Sequence, residues 1–501
     1  MGCRRSASVL SEAMTPSSQP APSDDDEPEQ KCVCFACVGE RYLSDLIHAS
    51  GKEQTCSYCN ETQEAIGIEE LADHIEGAFN RHYQQTSPEP NDYEFMLQRD
   101  SESSYEWERH GEPINWAIVN AADVTEKIAE DLQQILEERH ASFDADAMGD
   151  ETPFAGDSYY EEVKADDVDL RHEWRNFENS LKTESRFFNK GAEAVLSALF
   201  EGLTDHQTFA GERVIVDAGS RTKIKSLFRA RAFQSETILT EAMKRPDRDL
   251  GPAPTHLAAS GRMNAHGISV FYGALTPEVA LAEIRPPVGS RVMIGKFDVI
   301  RRVRLLDVEA LRSVLVRGSI FDPEHNRKLE RAKFLGRLSE RITRPVMPND
   351  EPSDYLITQA IADYLASQAE LDGILYPSAQ VAAGKKNKNV VLFHPSSRVK
   401  PLEFPPNTEL SAHTYMDQEE GPETDYWVSE MTSGPESPAP PPPAGPEFLV
   451  LPRDEINPEP RPITLKIDLE KMQVRHIEAV SFKTTKYAVR RNRFSKRDLK
   501  F

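Results

Sequence analysis

The sequence predicts an α+β chain of several domains, and three observations carry that prediction. Between about residues 211 and 400, short runs rich in β-branched and aromatic residues alternate with stretches of helical spacing. From about 63 to 210 helical spacing dominates, interrupted by acidic loops. Near the start, Cys34-x-x-Cys37 and Cys56-x-x-Cys59 stand apart by residues 38–55, inside the range expected of a zinc ribbon or knuckle. At 501 residues the chain can bury several cores, and roughly two to four domains are expected.

Composition narrows the function classes. A formal charge of −24 and a pI near 5.1 disfavour a nucleic-acid coat, because phosphate binding needs a surplus of Lys and Arg. No apolar run of about 18 residues is present, so no membrane span is expected. The first residues hold no apolar signal-peptide core. Of six cysteines, five fall between Cys32 and Cys59, which is no disulfide framework for a chain of this length. A reducing, cytoplasmic setting follows.

Taken in order, residues 1–30 are Ser, Pro, Asp and Glu with few large apolar residues, the composition of a disordered tail. Met-Gly-Cys-Arg-Arg-Ser at the start matches an N-myristoylation pattern, with Cys3 placed for palmitoylation; the plain reading is a chance match, and the alternative is that Gly2 and Cys3 anchor the chain to a eukaryotic host membrane. Residues 31–62 form the metal segment. There Cys34, Cys37, Cys56 and Cys59 can surround one structural Zn2+, with Cys32 or His48 as a substitute; the plain alternative is four free thiols. Residues 63–210 are expected as an acidic helical domain, with helices over Ile66–Arg81, Val124–His140 and Arg171–Leu203 and an acidic connector from Asp144 to Asp169.

Residues 211–400 are expected as the domain that carries the chemistry. Val214–Val216, Ile268–Tyr272, Val292–Phe297 and Val303–Leu306 read as strands, Asp322–Ile342 as a helical insertion and Tyr355–Gln368 as an amphipathic helix. Residues 401–462 are rich in Pro and acid and are expected as an extended linker. In 463–501, Ile463–Ile467 and Val474–Phe482 read as strands, and Lys483–Phe501 as a basic tail able to meet acidic segments of its own chain or a polyanion.

The stretch Gly261–Arg285 organises this domain. Gly261 and Gly267 bracket a tight segment with Arg262, Asn264 and His266; a strand then ends at Tyr272; Thr276-Pro277 starts a helix and Pro286-Pro287 stops it. At about 100° per residue, Pro277, Ala280, Leu281 and Ile284 share one apolar stripe. Glu283 falls on its shoulder, where its carboxylate would be half-desolvated. The plain readings are a rim glutamate, a loop arginine and a core tyrosine.

Gly261-Arg262-Met263-Asn264, then Gly267, a strand to Tyr272 and Ala280-Leu281-Ala282-Glu283 together resemble the signature of the RES domain, a family of bacterial toxins that degrade NAD. The late block agrees: Asp372–Pro377 leads to Ser378, and Asn389–Phe393 follows. The likeness covers about residues 222–400 and departs from the family at Met263, where an aromatic residue is commoner. It implies the split sheet of ADP-ribosyltransferases. The zinc segment and helical region resemble the HEPN-related domain found before some RES domains. The RNA-cleaving arrangement of that superfamily, an arginine followed at short distance by a histidine, is not found after Arg175 or Arg186.

The resemblance implies an enzyme that consumes NAD by cleaving the nicotinamide–ribose bond, as a glycohydrolase or a phosphorylase. Glu283 is expected to face the positive charge that grows on the ribose. Arg262 and Arg229, assisted by Arg231, suit the pyrophosphate. Tyr272 offers a flat face and a hydroxyl, and Ser378 a hydrogen bond to nicotinamide or ribose. No histidine is placed to make Ser378 a nucleophile. Partners expected are NAD and an antitoxin or regulatory protein. The competing reading is a zinc-organised interaction protein whose RES domain binds nucleotide without turnover.

Overall fold

The computed structural model describes residues 30–100, 104–163, 166–344, 351–382, 384–418, 421–432, 459–481 and 483–491. The acylation pattern at Gly2 and Cys3 and the expected disordered tail up to residue 29 lie outside them, as do residues 492–501 of the basic tail. The fold is mixed α+β, in two compact units. The first runs to Lys164 and includes Gly318–His325; the second holds Ala165–Arg317 and Asn326–Phe501.

In the first unit a strand at Cys32–Cys34 pairs with Thr62–Gly67, which also pairs with Lys52–Thr55. Helices Ile68–His82, Ile114–Ala122 and Glu126–His140 then bury Leu71, Ile75, Ile118 and Leu132 in one core. The two helices expected near 66–81 and 124–140 are there, since both carry apolar residues at three- and four-residue intervals. The acidic connector expected at 144–169 is more ordered than its composition implies: it holds a strand, Tyr159–Glu162, and a fully buried Phe154. One aromatic ring in a core outweighs several exposed acids around it.

The expected single helical run from Arg171 to Leu203 is two helices, Val168–Thr183 and Lys190–Phe200, and it belongs to the second unit. Asn189 starts the second by accepting the Ala192 N–H through its side chain at 3.0 Å. Trp174, Phe177, Leu196 and Leu199 join a core with Leu335, Ile361 and Ile374. The division between the two compact units lies at 164/165.

The second unit is organised by an eight-stranded sheet. In chain order its strands are β1 (Ile215–Ala218), β2 (Ser226–Phe233), β3 (Phe271–Ala274), β4 (Arg291–Val299), β5 (Val303–Asp307), β6 (Gly373–Pro377), β7 (Lys388–Leu392) and β8 (Leu465–His476). Their order across the sheet is β8-β4-β2-β3-β7-β6-β5-β1, antiparallel throughout except β5 with β6. Neighbouring residues alternate between two cores, as a period of two requires: Leu306, Ile374 and Val391 face one, Leu305, Leu375 and Val390 the other.

The sheet is nearly cut in two. β2 and β3 share a single residue pair, Phe228 with Ala274, whereas β4 pairs with β2 from Arg291 to Asp298. Helix α1 (Pro277–Glu283) lies beside this junction, and helices α2 (Pro323–Thr343) and α3 (Glu351–Ser367) form the insertion. The strand expected at Ile268–Tyr272 begins only at Phe271, because Asn264 holds the preceding backbone in a turn.

Two expectations at the carboxy-terminal end are corrected. Within 401–462, read as linker, Thr408–Gln418 and Gly421–Thr432 form an antiparallel hairpin. Its alternating Ala412, Tyr426 and Val428 pack on the sheet's core, a period-two signal that proline-rich flanks obscure. The two strands expected in 463–482 are one strand, β8, paired with β4 on either side of a register shift between Ile294 and Lys296.

Candidate active site and thiol cluster

Helix α1 begins as its sequence dictates. Thr276 Oγ1 accepts the Val279 N–H at 3.3 Å and Pro277 takes the first helical position. Its buried residues are Val279 and Ala280, packed against Ala230, Ala274, Val292 and Ile294. The stripe is therefore rotated from the one expected, with Leu281 and Ile284 only part-buried. Glu283 is exposed, not half-desolvated, because it is the last residue of a short helix and stands at an open wall. Arg285 then turns the chain with a φ of 45°.

Glu283 is nonetheless held. Its Oε1 accepts Ser378 Oγ–H at 2.5 Å and Asn389 Nδ2–H at 2.8 Å. Ser378 follows the end of β6 and Asn389 lies in β7, so three separated segments meet on one carboxylate oxygen. The Ser378 hydroxyl also accepts the Gln380 N–H at 3.1 Å.

On the facing side, Gly261 and Asn264 pair backbone to backbone to close a turn that carries Arg262. Asn264 Nδ2 donates to the Ala259, Ala265 and Ile268 carbonyls, while its Oδ1 accepts the Tyr272 hydroxyl at 2.8 Å. That hydroxyl also accepts the Met263 N–H at 3.1 Å. Gly261 is required here, since a Cβ would come within 2.6 Å of both Tyr272 Oη and Asn264 Oδ1. Burial pushes the Tyr272 phenol up to about 12 against the opposing Met263 N–H. Met263, the departure from the family pattern, is buried in the core with Ile361 and Ile374.

Arg229, on β2 at the junction, lies with its guanidinium carbon 5.3 Å from the centroid of Phe271. Its Nη1 is buried and has no hydrogen-bond partner among the described residues. Burial, then the neighbouring Arg231, pull this guanidinium down to about 10. Asn389 Oδ1 is a second buried atom without a partner.

Arg229, Arg262, Tyr272, Glu283 and Asn389 all line one cavity of about 550 Å³, within the range of small-molecule sites. Ser378 reaches it through Glu283, between the lining residues Pro377 and Ala379. Arg231 does not line it: its guanidinium donates to the Asp249 carbonyl and carboxylate and lies over Phe233. Asn389, Tyr376 and Arg285 also line the cavity and were not singled out from sequence. Tyr376 and Arg285 carry no signal of their own, whereas Asn389 heads the strand quoted for the resemblance; only pairing of β7 with β3 and β6 brings it beside residue 283.

The first unit holds the cysteine group. Cys34 Sγ lies 3.6 Å from Cys59 Sγ and Cys37 Sγ 3.8 Å from Cys56 Sγ, and all four sulfurs fall within 4.8 Å of one another. A tetrahedral zinc with arms of about 2.3 Å sets sulfurs about 3.8 Å apart, so the spacing fits that ion and is far too long for a disulfide. The turn Phe35–Cys37 carries one pair and the loop between Lys52–Thr55 and Thr62–Gly67 the other. Cys32 is separate, its thiol donating to the Gln30 carbonyl.

Comparison with known proteins gives two family matches. Residues 228–411 match the RES domain and residues 49–194 match the HEPN/RES N-terminal domain 1. Among solved structures, a chain of the M.tuberculosis MbcT-MbcA toxin-antitoxin complex is similar at 11% identity, covering 47% of this chain and 94% of that one, with a TM-score of 0.20. No curated protein matches. Among the described residues no helix is long and apolar enough to cross a membrane.

Proposed function

Because the chain is a RES-domain protein with a HEPN/RES amino-terminal domain, we propose that it is an enzyme that consumes NAD by cleaving the bond between nicotinamide and ribose. One observation carries this reading: a carboxylate fixed by Ser378 and Asn389 shares a cavity of about 550 Å³ with Arg229, Arg262 and Tyr272.

Departure of neutral nicotinamide leaves positive charge on the ribose. Glu283 is the group to face it. Both donors fall on Oε1, so Oε2 is left for the sugar or its hydroxyl. The Nη1 of Arg229, buried and without a partner among the described residues, can meet an anion, and a pyrophosphate supplies one; Arg262 shares it. Tyr272, whose hydroxyl is spent on Asn264 and Met263, contributes its ring face rather than a proton. Water as acceptor yields ADP-ribose, and phosphate yields its phosphorylated form. The RES family further implies an antitoxin or regulatory partner that restrains the activity.

Zn2+ is the ion proposed for Cys34, Cys37, Cys56 and Cys59, where it would tie the two Cys-x-x-Cys turns together. A chain organised only by this ion, with a RES domain that binds nucleotide unchanged, is the competing reading. Expression of the intact protein and of Glu283→Gln in bacterial cells, with NAD followed by mass spectrometry, separates the two. NAD should collapse with the first and persist with the second; equal NAD levels in both would remove the enzymatic reading.

A further inference from the structure

Besides its own Asn264 and Tyr272 bonds, the Arg262 turn is held by the helical insertion. Thr358 Oγ1 on α3 donates to the Arg262 carbonyl at 2.5 Å. Gln359 Nε2, the next residue, donates to the Gly261 carbonyl at 2.8 Å, the Asn264 carbonyl at 2.9 Å and Ser260 Oγ at 2.9 Å. Arg262 Nη1 in turn donates to the Ile342 carbonyl at 2.5 Å, in the last turn of α2. The carbonyls of a helix's last turn lack intrahelical partners and carry the negative end of its dipole, so they attract a guanidinium. Thr343 and Tyr355, one from each helix, line the same cavity.

From these contacts we infer that Thr358 and Gln359 are positioning residues for Arg262, and that the α2–α3 pair sets the cation's place in the cleft. Neither side chain is among those lining the cavity; Thr358 grips the backbone of Arg262 itself, and Gln359 the backbone on either side of it. Gln359 binds carbonyls at both ends of the turn, 261 and 264, and Thr358 binds the carbonyl between them. Rotation of the turn would break all three bonds together. Arg262 is parked on the Ile342 carbonyl, and an entering phosphate, with full charge, is a stronger acceptor than a neutral carbonyl. Binding then exchanges one partner for another without moving the backbone, which is how a preorganised site avoids an ordering cost. This inference deepens the NAD reading and rests on it for the ligand, but not for the geometry.

The test uses the full-length protein and its Thr358→Val, Thr358→Ser and Gln359→Leu variants. NAD affinity is measured by calorimetry, and amide hydrogen exchange is followed in a peptide spanning 259–264. Thr358→Val and Gln359→Leu should weaken NAD binding about tenfold or more and speed exchange in that peptide, while Thr358→Ser, which keeps the hydroxyl, retains both values. Unchanged exchange in the Val and Leu variants overturns the positioning role. Faster exchange with no NAD binding by the intact protein leaves that role standing and removes the NAD reading. Faster exchange with unweakened NAD binding shows that Arg262 needs no such support, and overturns the inference.

Discussion

Ser378 and Glu283, 95 positions apart in the chain, share a hydrogen bond of 2.5 Å in which the hydroxyl donates to the carboxylate. In the proposed reaction the serine serves the acid and is not a nucleophile. Loss of the hydroxyl should leave Glu283 with the Asn389 bond alone. Ser378→Ala is expected to slow NAD consumption about 10- to 100-fold, the worth of one bond to a charged group, and Glu283→Gln about 100-fold or more. Single-turnover rates on purified protein check the order; a Ser378→Ala variant slower than Glu283→Gln contradicts it.

Arg229 places a charge in the cleft without a partner for Nη1. Replacing it with Leu should raise the melting temperature of the free protein, by about 2–4 °C for each 1 kcal/mol relieved, while abolishing NAD binding. A melting scan with and without NAD reads both effects. A variant that melts lower and still binds would show that the cation is not strained.

The same group sets a pH dependence. Its folded value, about 10, lies below the ordinary 12.5, so between these values the unfolded chain holds the extra proton. This group's contribution to stability therefore rises with pH across that window, and its cost is fully present below about 10. On the proposed function, NAD affinity is expected to move oppositely, falling as pH passes about 10 and the cation is lost. Calorimetry from pH 8 upward tests the sign.

Tyr272 donates to Asn264 and accepts from Met263. Tyr272→Phe leaves both partners unsatisfied in a buried turn and should cost about 1–3 kcal/mol of stability, with NAD binding weakened through the Arg262 turn. Chemical denaturation measures the first effect. Full stability in the Phe variant would mean that the network carries no weight.

Four sulfurs within 4.8 Å of one another predict stoichiometric zinc in protein purified without chelator. Cys56→Ser should lose most of that zinc and lower the melting temperature, because each of the paired turns is then untied. Elemental analysis showing no zinc in the unaltered protein would dismiss the ion.

Some of this was legible without coordinates. Thr276-Pro277 announced a helix start, and the two Cys-x-x-Cys pairs announced a cluster, because both are local patterns whose chemistry acts within a few residues. The hairpin at Thr408–Thr432 was hidden, since prolines and acids around it masked a weak alternation. Glu283 is exposed where the helical wheel predicts half-burial, because a wheel gives direction about an axis but not where the helix ends.

The sequence by itself determined the mixed α+β character and the thiol pairs; the resemblance to the RES domain, not residue spacing, put forward Glu283, Arg262, Tyr272 and Ser378 together. Tertiary structure alone decided that Asn389 shares the carboxylate with Ser378, that Arg231 turns away to Asp249, and that α3 grips the Arg262 turn. The physical reason is range: capping and knuckle turns act between near neighbours, whereas these contacts depend on which strands pair across a nearly severed sheet.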